Sequence, residues 1–82
     1  MSGNEQSEKM KRIIEIGLNG MWRFYDEGFT RWPQDKLAPL FSNTNLEHPE
    51  IQAEFRSLEA QGFIRLNKKE DCYLEVIRAP DA

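Results

Sequence analysis

Apolar residues recur at intervals of three and four along the first third of the chain, and this spacing places them on one face of a helix. The members of this stripe are Met10, Ile14, Leu18, Met21 and Tyr25. The pattern predicts a first helix from about Ser7 to Glu27. We expect Gly28 to end it, with Phe29 making the hydrophobic contact of a Schellman motif.

The apolar surface of this first helix is wider than a single core requires. Ile13 and Phe24 widen the stripe on one side and Trp22 on the other, so the arc reaches roughly 180°, whereas a surface helix needs roughly 100°. Ile16 lies among the polar residues on the opposite side. Because a small domain cannot readily bury so much apolar surface, we predict that Ile13, Ile16 and Phe24 contact a protein partner or a second copy of the chain.

The start and the middle of this helix are its weakest parts. Residues 1–6 show no apolar pattern and are predicted to be a disordered lead-in. Gly17 and Gly20 each cost about 1 kcal/mol relative to alanine in a helix interior. They predict a break near Asn19-Gly20.

Two prolines delimit the second element. Pro33 suits the first helical turn, whereas Pro39 cannot lie deep inside a helix, so this element is predicted to be short or kinked. Its apolar residues are Leu37, Ala38, Leu40 and Phe41. The polar residues from 42 to 45 predict a turn after it.

From Pro49 onward the pattern predicts a third helix and then two strands. Pro49 suits the first helical position, and Gly62 suits the position just beyond the helix end. Residues 67–71 are polar and predict a hairpin turn between the strands. Ile51, Phe55 and Leu58 form the predicted buried stripe of this helix, Phe63, Ile64 and Leu66 begin the first strand, and Tyr73, Val76 and Ile77 form the returning strand. Because the helices and the strand must share one core, we predict that one set of residues is buried together: Leu18, Tyr25, Phe55, Leu58 and Phe63.

This order of elements resembles the winged helix-turn-helix superfamily. The resemblance covers about residues 8–78, and its carriers are Leu37-Ala38 and Leu58-Glu59-Ala60-Gln61-Gly62-Phe63-Ile64. It implies an α+β fold, mostly α, with three helices and a C-terminal two-stranded β-hairpin wing over residues 7–78, followed by a tail at 79–82. The superfamily's small first strand is not clearly indicated at residues 29–32.

The third helix is the predicted reading helix for double-stranded DNA. Its polar face is expected to carry Gln52, Arg56 and Ser57 as base contacts, because Gln and Arg can form bidentate contacts to adenine and guanine. Resemblance to winged helices also implies phosphate contacts near the wing. The candidates are Arg65, Lys68 and Lys69.

Charge weakens this interpretation. The chain has 82 residues, enough for one domain, and a formal net charge of −3, with a pI of about 5.1. A nucleic-acid binder usually has a basic balance. Glu50, Glu54 and Glu59 flank the predicted reading face and would repel phosphates. Two functions therefore remain open: a DNA-binding transcriptional regulator, expected to act as a dimer, and a winged-helix adaptor that binds protein and no DNA.

The residues offer no argument for catalysis. His48, the only histidine, is predicted to cap or turn the chain, and Cys72, the only cysteine, has no candidate base. No paired carboxylates or glycine-rich phosphate loop is evident. We expect no enzyme activity, no cofactor, no metal and no small-molecule substrate. The lone cysteine, the missing secretory signal and the absence of a long apolar run predict a cytoplasmic protein without a membrane partner.

Overall fold

The computed structural model describes residues 2–80, with side-chain burial described from residue 8 onward. The fold is α+β and mostly α, which confirms the predicted class. Its elements are α1 (Ser2–Asp26), β1 (Arg31–Trp32), α2 (Gln34–Leu37), a 3₁₀ segment (Ala38–Phe41), α3 (Pro49–Ala60), β2 (Ile64–Leu66) and β3 (Leu74–Val76). We call the connection between β2 and β3, residues 67–73, the wing.

The first helix begins earlier than its apolar pattern indicates. α1 starts at Ser2, so residues 2–6 are helical where a lead-in was predicted, and Met1 lies outside the described residues. Extending a helix costs far less than nucleating one. The packed part of α1 therefore supports a polar first turn that has no apolar signal of its own.

α1 ends in the predicted Schellman motif. Gly28 has a φ of 92°, a left-handed conformation that suits glycine. Its N–H donates to the Tyr25 carbonyl at 2.9 Å, and the Phe29 N–H donates to the Phe24 carbonyl at 3.0 Å. The rings of Phe24 and Phe29 lie edge to face with centroids 6.2 Å apart. This pair is the hydrophobic contact that accompanies the motif.

The two central glycines of α1 do not break it, because they allow a close helix contact. A β-carbon at Gly17 would lie 2.5 Å from two carbons of the Phe41 ring, which packs directly against the helix backbone. A β-carbon at Gly20 would lie 3.2 Å from a methyl group of Leu40. The predicted break near Asn19-Gly20 is therefore wrong. Glycine lowers helix propensity at these two positions, but its missing side chain allows the 3₁₀ segment to approach α1.

The sheet has three antiparallel strands in the order β1-β3-β2, so the predicted two-stranded hairpin is incomplete. β1 pairs Arg31 with Glu75 and Trp32 with Leu74. β2 pairs with the other edge of β3, with Ile64 opposite Val76. A two-residue strand is too short to show an alternating pattern, yet it pairs an edge of β3 that would otherwise have free backbone groups.

The core lies between α1, the 3₁₀ segment, α3 and the sheet. At its centre the rings of Phe41 and Phe55 meet edge to face, with centroids 5.5 Å apart. Of the predicted core set, Phe55 and Leu58 are buried, whereas three residues are only half-buried and pack against the core. These three are Leu18, Tyr25 and Phe63.

Candidate functional site

The exposed face of α3 matches the prediction except at one position. Ala53, Arg56, Ser57 and Ala60 are exposed. Gln52 is only 7% exposed, so its predicted place on the reading face is wrong. In this fold its side chain turns inward and is not presented to a DNA groove.

Gln52 belongs to a polar cluster that runs from the core to the surface. Its side-chain amide donates to the Leu46 carbonyl at 2.7 Å and to the Tyr73 hydroxyl at 2.9 Å. The Tyr73 hydroxyl donates in turn to a carboxylate oxygen of Glu47. The other Glu47 oxygen lies 3.7 Å from the Lys68 ammonium. We call Glu47, Gln52, Lys68 and Tyr73 the polar clamp.

The polar clamp joins three parts of the fold: the segment before α3, α3 itself and the wing. Burial, reinforced by the hydrogen bond to Glu47, raises the pKa of Tyr73 to about 12. The hydroxyl therefore stays protonated and remains a donor to Glu47. An unpaired buried polar group costs about 1–3 kcal/mol, so the hydrogen bonds of the buried Gln52 and Tyr73 side chains favour one position of the wing.

The predicted phosphate contacts do not form a basic patch. Arg65, Lys68 and Lys69 are exposed, as such contacts require, but Lys68 is paired with Glu47. From position 47 to position 71 the chain carries four basic side chains and six acidic ones, a formal net charge of −2. The surface predicted to meet DNA is therefore acidic on balance.

The three predicted partner contacts on α1 lie in different environments. Ile13 is half-buried and packs against the core. Phe24 is 39% exposed, but its ring also contacts Trp32, with centroids 5.6 Å apart. Ile16 is 59% exposed, the most exposed of the large apolar residues in the described part of the chain. Of the three, Ile16 presents the most free apolar surface.

Ile16 lies on a long exposed surface formed by the polar side of α1, whose other residues were not predicted to bind a partner. We call it the outer face of α1. Its members are Arg12, Glu15, Ile16, Asn19, Trp22, Arg23 and Asp26, all exposed except the half-buried Trp22. Their spacing of three and four was visible in the sequence, but most of them are polar and carried no core signal.

Two shallow grooves run along the outer face of α1, one on each side of Asn19 and Arg23. The first, of about 410 Å³, is also lined by Ile16, Gly20, Pro39 and Leu40. The second, of about 710 Å³, is also lined by Trp22, Tyr25, Asp26, Arg78, Ala79 and Pro80. Helix packing places the ridge of one helix in the grooves of another, so this surface has the shape that receives a helix.

The groups considered for chemistry have structural roles. His48 caps α3, because its Nδ1 accepts the Glu50 N–H at 3.2 Å. Cys72 is buried, and its thiol donates to the Leu74 carbonyl at 3.5 Å. Among the side chains of residues 8–80, no three His, Cys, Asp or Glu residues converge as a metal site requires. None of the described helices combines the length and the hydropathy needed to cross a bilayer.

These two helix faces and the polar clamp are the features from which a function can be inferred. Comparison of the chain with models of protein families, with curated proteins and with solved structures finds no match.

Proposed function

We propose that this chain is a small protein-interaction module of winged-helix type that binds a protein partner through the outer face of α1. The strand at Arg31–Trp32 supports the winged-helix type, because it lies where the resemblance implies a small first strand. The wing after α3 supports it as well.

The observation that carries the proposal is a contrast between the two helix faces. On the α3 side, Gln52 and Lys68 are already bound to Tyr73 and Glu47. On the α1 side, Ile16 is 59% exposed and lines the groove that it shares with Gly20 and Leu40. Apolar surface beside concave surface is what a protein partner buries, and charge pairing can then orient the partner.

Electrostatics favours this function over DNA binding. Each Lys or Arg that contacts a phosphate contributes to affinity by releasing counterions, and each nearby carboxylate opposes it. Arg56 lies between Glu50, Glu54 and Glu59 along α3, and its Nε donates to the Gln52 carbonyl at 3.4 Å. Such a helix would approach a phosphate backbone at an electrostatic cost.

Titration of the full chain with a fluorescent random duplex, from low to physiological salt, tests the proposal. We expect no binding at any salt concentration. Binding with a linear fall of log affinity against log salt would contradict it, because that slope counts phosphate contacts. A basic winged-helix protein of known DNA affinity serves as the positive control.

A second candidate is sequence-specific DNA binding by a transcriptional regulator, supported by the exposed Arg56 and Ser57 on α3 with Arg65 and Lys69 nearby. Selection of a duplex from a random pool at low salt tests it. If a site is selected, Arg56→Ala should cost about 1–3 kcal/mol on that site and little on random DNA. Lys69→Ala should weaken both and lower the salt slope by about one.

A further inference from the structure

We propose that the partner of the outer face of α1 is a second copy of this chain, docked antiparallel with Asn19 on the twofold axis. This inference rests on the proposed function and names the partner. It differs from the dimer predicted through Ile13, Ile16 and Phe24, because Ile13 packs against the core and Phe24 contacts Phe29 and Trp32.

The charges on the outer face of α1 are self-complementary about Asn19. Arg12 and Asp26 each lie seven residues from Asn19, and Glu15 and Arg23 each lie four residues from it. In an antiparallel pair of helices centred on Asn19, residues at equal distances from the centre face each other. Arg12 then meets Asp26 of the second copy, and Glu15 meets Arg23 of the second copy. The twofold axis repeats both pairs, so the interface has four opposite-charge pairs.

The apolar residues obey the same symmetry. Ile16 and Trp22 each lie three residues from Asn19, on opposite sides of it. Ile16 of one chain therefore packs over Trp22 of the other, and this contact also occurs twice. The Asn19 side chains meet on the axis, where a polar pair can specify register at a helix interface.

The same charges exclude the competing arrangement. In a parallel pair with the same centre, Arg12 would face Arg12, Glu15 would face Glu15, and Arg23 would face Arg23. Like charges across an interface are unfavourable and suppress the wrong orientation. The exposed charges of α1 thus favour the antiparallel orientation over the parallel one.

The shape of the surface suits a helix of this length. α1 has 25 residues, and the molecule measures 41 Å along its longest axis. At 1.5 Å per residue the helix is about 37 Å long, so it nearly spans the molecule. The grooves beside Ile16 and beside Trp22 lie on opposite sides of Asn19 and Arg23. Each can receive the side-chain ridge of the other copy.

The dimer should be weak, because it uses one helix per copy and buries mostly polar side chains. Interfaces of this kind lie at the small end of specific protein contacts. We expect a Kd between roughly 10 µM and 1 mM. Sedimentation equilibrium of the full chain at several hundred micromolar covers this range.

A charge-reversal experiment tests the register. Arg12→Glu places the introduced carboxylate against Asp26 of the second copy, and Asp26→Arg places the introduced guanidinium against Arg12. We expect each variant alone to have a Kd raised about tenfold or more. In an equimolar mixture, one chain of each variant restores both opposite-charge pairs, so we expect a heterodimer with an affinity close to that of the original chain. Both positions are exposed, and thermal melts should show both variants folded.

Three results would overturn the inference: a monomeric chain at several hundred micromolar, single variants that dimerise as well as the original, or a mixture that stays monomeric. None of them would contradict the proposed function, which the duplex titration tests separately. As a matched control, Lys36→Glu reverses an exposed charge on α2, away from α1, and should leave the Kd unchanged.

Discussion

Gln52 on α3 and Ile16 on α1 depart from the usual pattern of polar surface and apolar core in opposite directions. Gln52 is a polar residue with 7% of its surface exposed, and Ile16 is an apolar residue with 59% exposed. The buried glutamine has two hydrogen-bond partners inside the molecule. The exposed isoleucine lines one of the two grooves on the outer face of α1.

The two regions differ in whether the unusual residue has its contacts within the same chain. A buried polar group that has its partners is part of the fold, and it needs no function to explain it. The exposed isoleucine has no such partner in the described part of the chain, and in the proposed dimer a second copy covers it. The α3 region therefore holds the wing in place, and the α1 region is the better candidate for an interface.

The largest expected effect comes from removal of the core that supports both regions. The Phe55 ring packs against Phe41, which lies against α1 at Gly17. Phe55→Ala should lower the free energy of unfolding by about 3–5 kcal/mol, enough to unfold much of a domain this small. Chemical denaturation measures the loss. Arg56→Ala, at the next and exposed position, should change stability by less than about 0.5 kcal/mol. Equal effects of the two changes would contradict the assigned core.

Replacement of Gln52 tests whether its burial stabilises the fold on the α3 side. Gln52→Leu keeps a similar volume but leaves the Leu46 carbonyl and the Tyr73 hydroxyl without its two hydrogen bonds. We expect a loss of about 1–3 kcal/mol in the free energy of unfolding. If Gln52 were an exposed reading residue, the same change would leave stability unaltered. Urea denaturation of the variant and the original chain distinguishes the two cases.

Most of the fold was predictable from the sequence, because the signals are local. The stop at Gly28, the short second helix before Pro39 and the cap at His48 each depend on a few neighbouring residues. β1 was not predicted, because a two-residue strand depends on β3, which lies about forty positions further along the chain. Tertiary pairing of this kind leaves no periodic pattern.

The candidate site was less predictable than the fold. Gln52 lies three residues before Phe55, at the edge of the buried stripe of α3, and that spacing was the available signal of its burial. Its partners Tyr73 and Leu46 are distant in sequence, so the polar clamp could not be anticipated from local spacing. On α1, the charge symmetry about Asn19 is present in the sequence, but it gains meaning only once the structure shows that this side is exposed.

Gly17 and Gly20 of α1 differ in how much space there is for an added side chain. Gly17→Ala pushes a methyl group into the Phe41 ring, and overpacking of this kind outweighs the gain in helix propensity. We expect a net loss of about 1–2 kcal/mol in the free energy of unfolding. Gly20→Ala meets a Leu40 methyl group that can rotate away, so we expect a gain of up to about 1 kcal/mol. Thermal melts showing the same sign for both variants would contradict the packing described for the 3₁₀ segment.

The polar clamp should make stability depend on pH in the alkaline range. The pKa of Tyr73 is about 12 in the folded chain against 10.0 for the ordinary residue, so between these values the folded state holds a proton that the unfolded state releases. The contribution of the Tyr73 hydroxyl to the free energy of unfolding is thus fully present below pH 10 and is lost as the pH rises through 12. From about pH 9 to about pH 11 we expect a loss of about 1 kcal/mol relative to Tyr73→Phe. If the free energy of unfolding depended on pH in the same way in both proteins, the raised pKa of Tyr73 would be contradicted.

Substitution of Ile16 should have the smallest effect on folding, and it directly tests the proposed interface on the outer face of α1. Ile16→Gln replaces the exposed apolar side chain with a polar one of good helix propensity, so stability should change by less than about 0.5 kcal/mol. The same change removes two contacts with Trp22 from the proposed dimer and should raise its Kd about tenfold or more. Ile16→Leu, which keeps the apolar surface, should leave both quantities close to the original. Sedimentation and thermal melts of the three proteins therefore separate an interface residue from a core residue. A large fall in melting temperature for Ile16→Gln, with an unchanged Kd, would assign Ile16 to the fold and remove the contrast with Gln52.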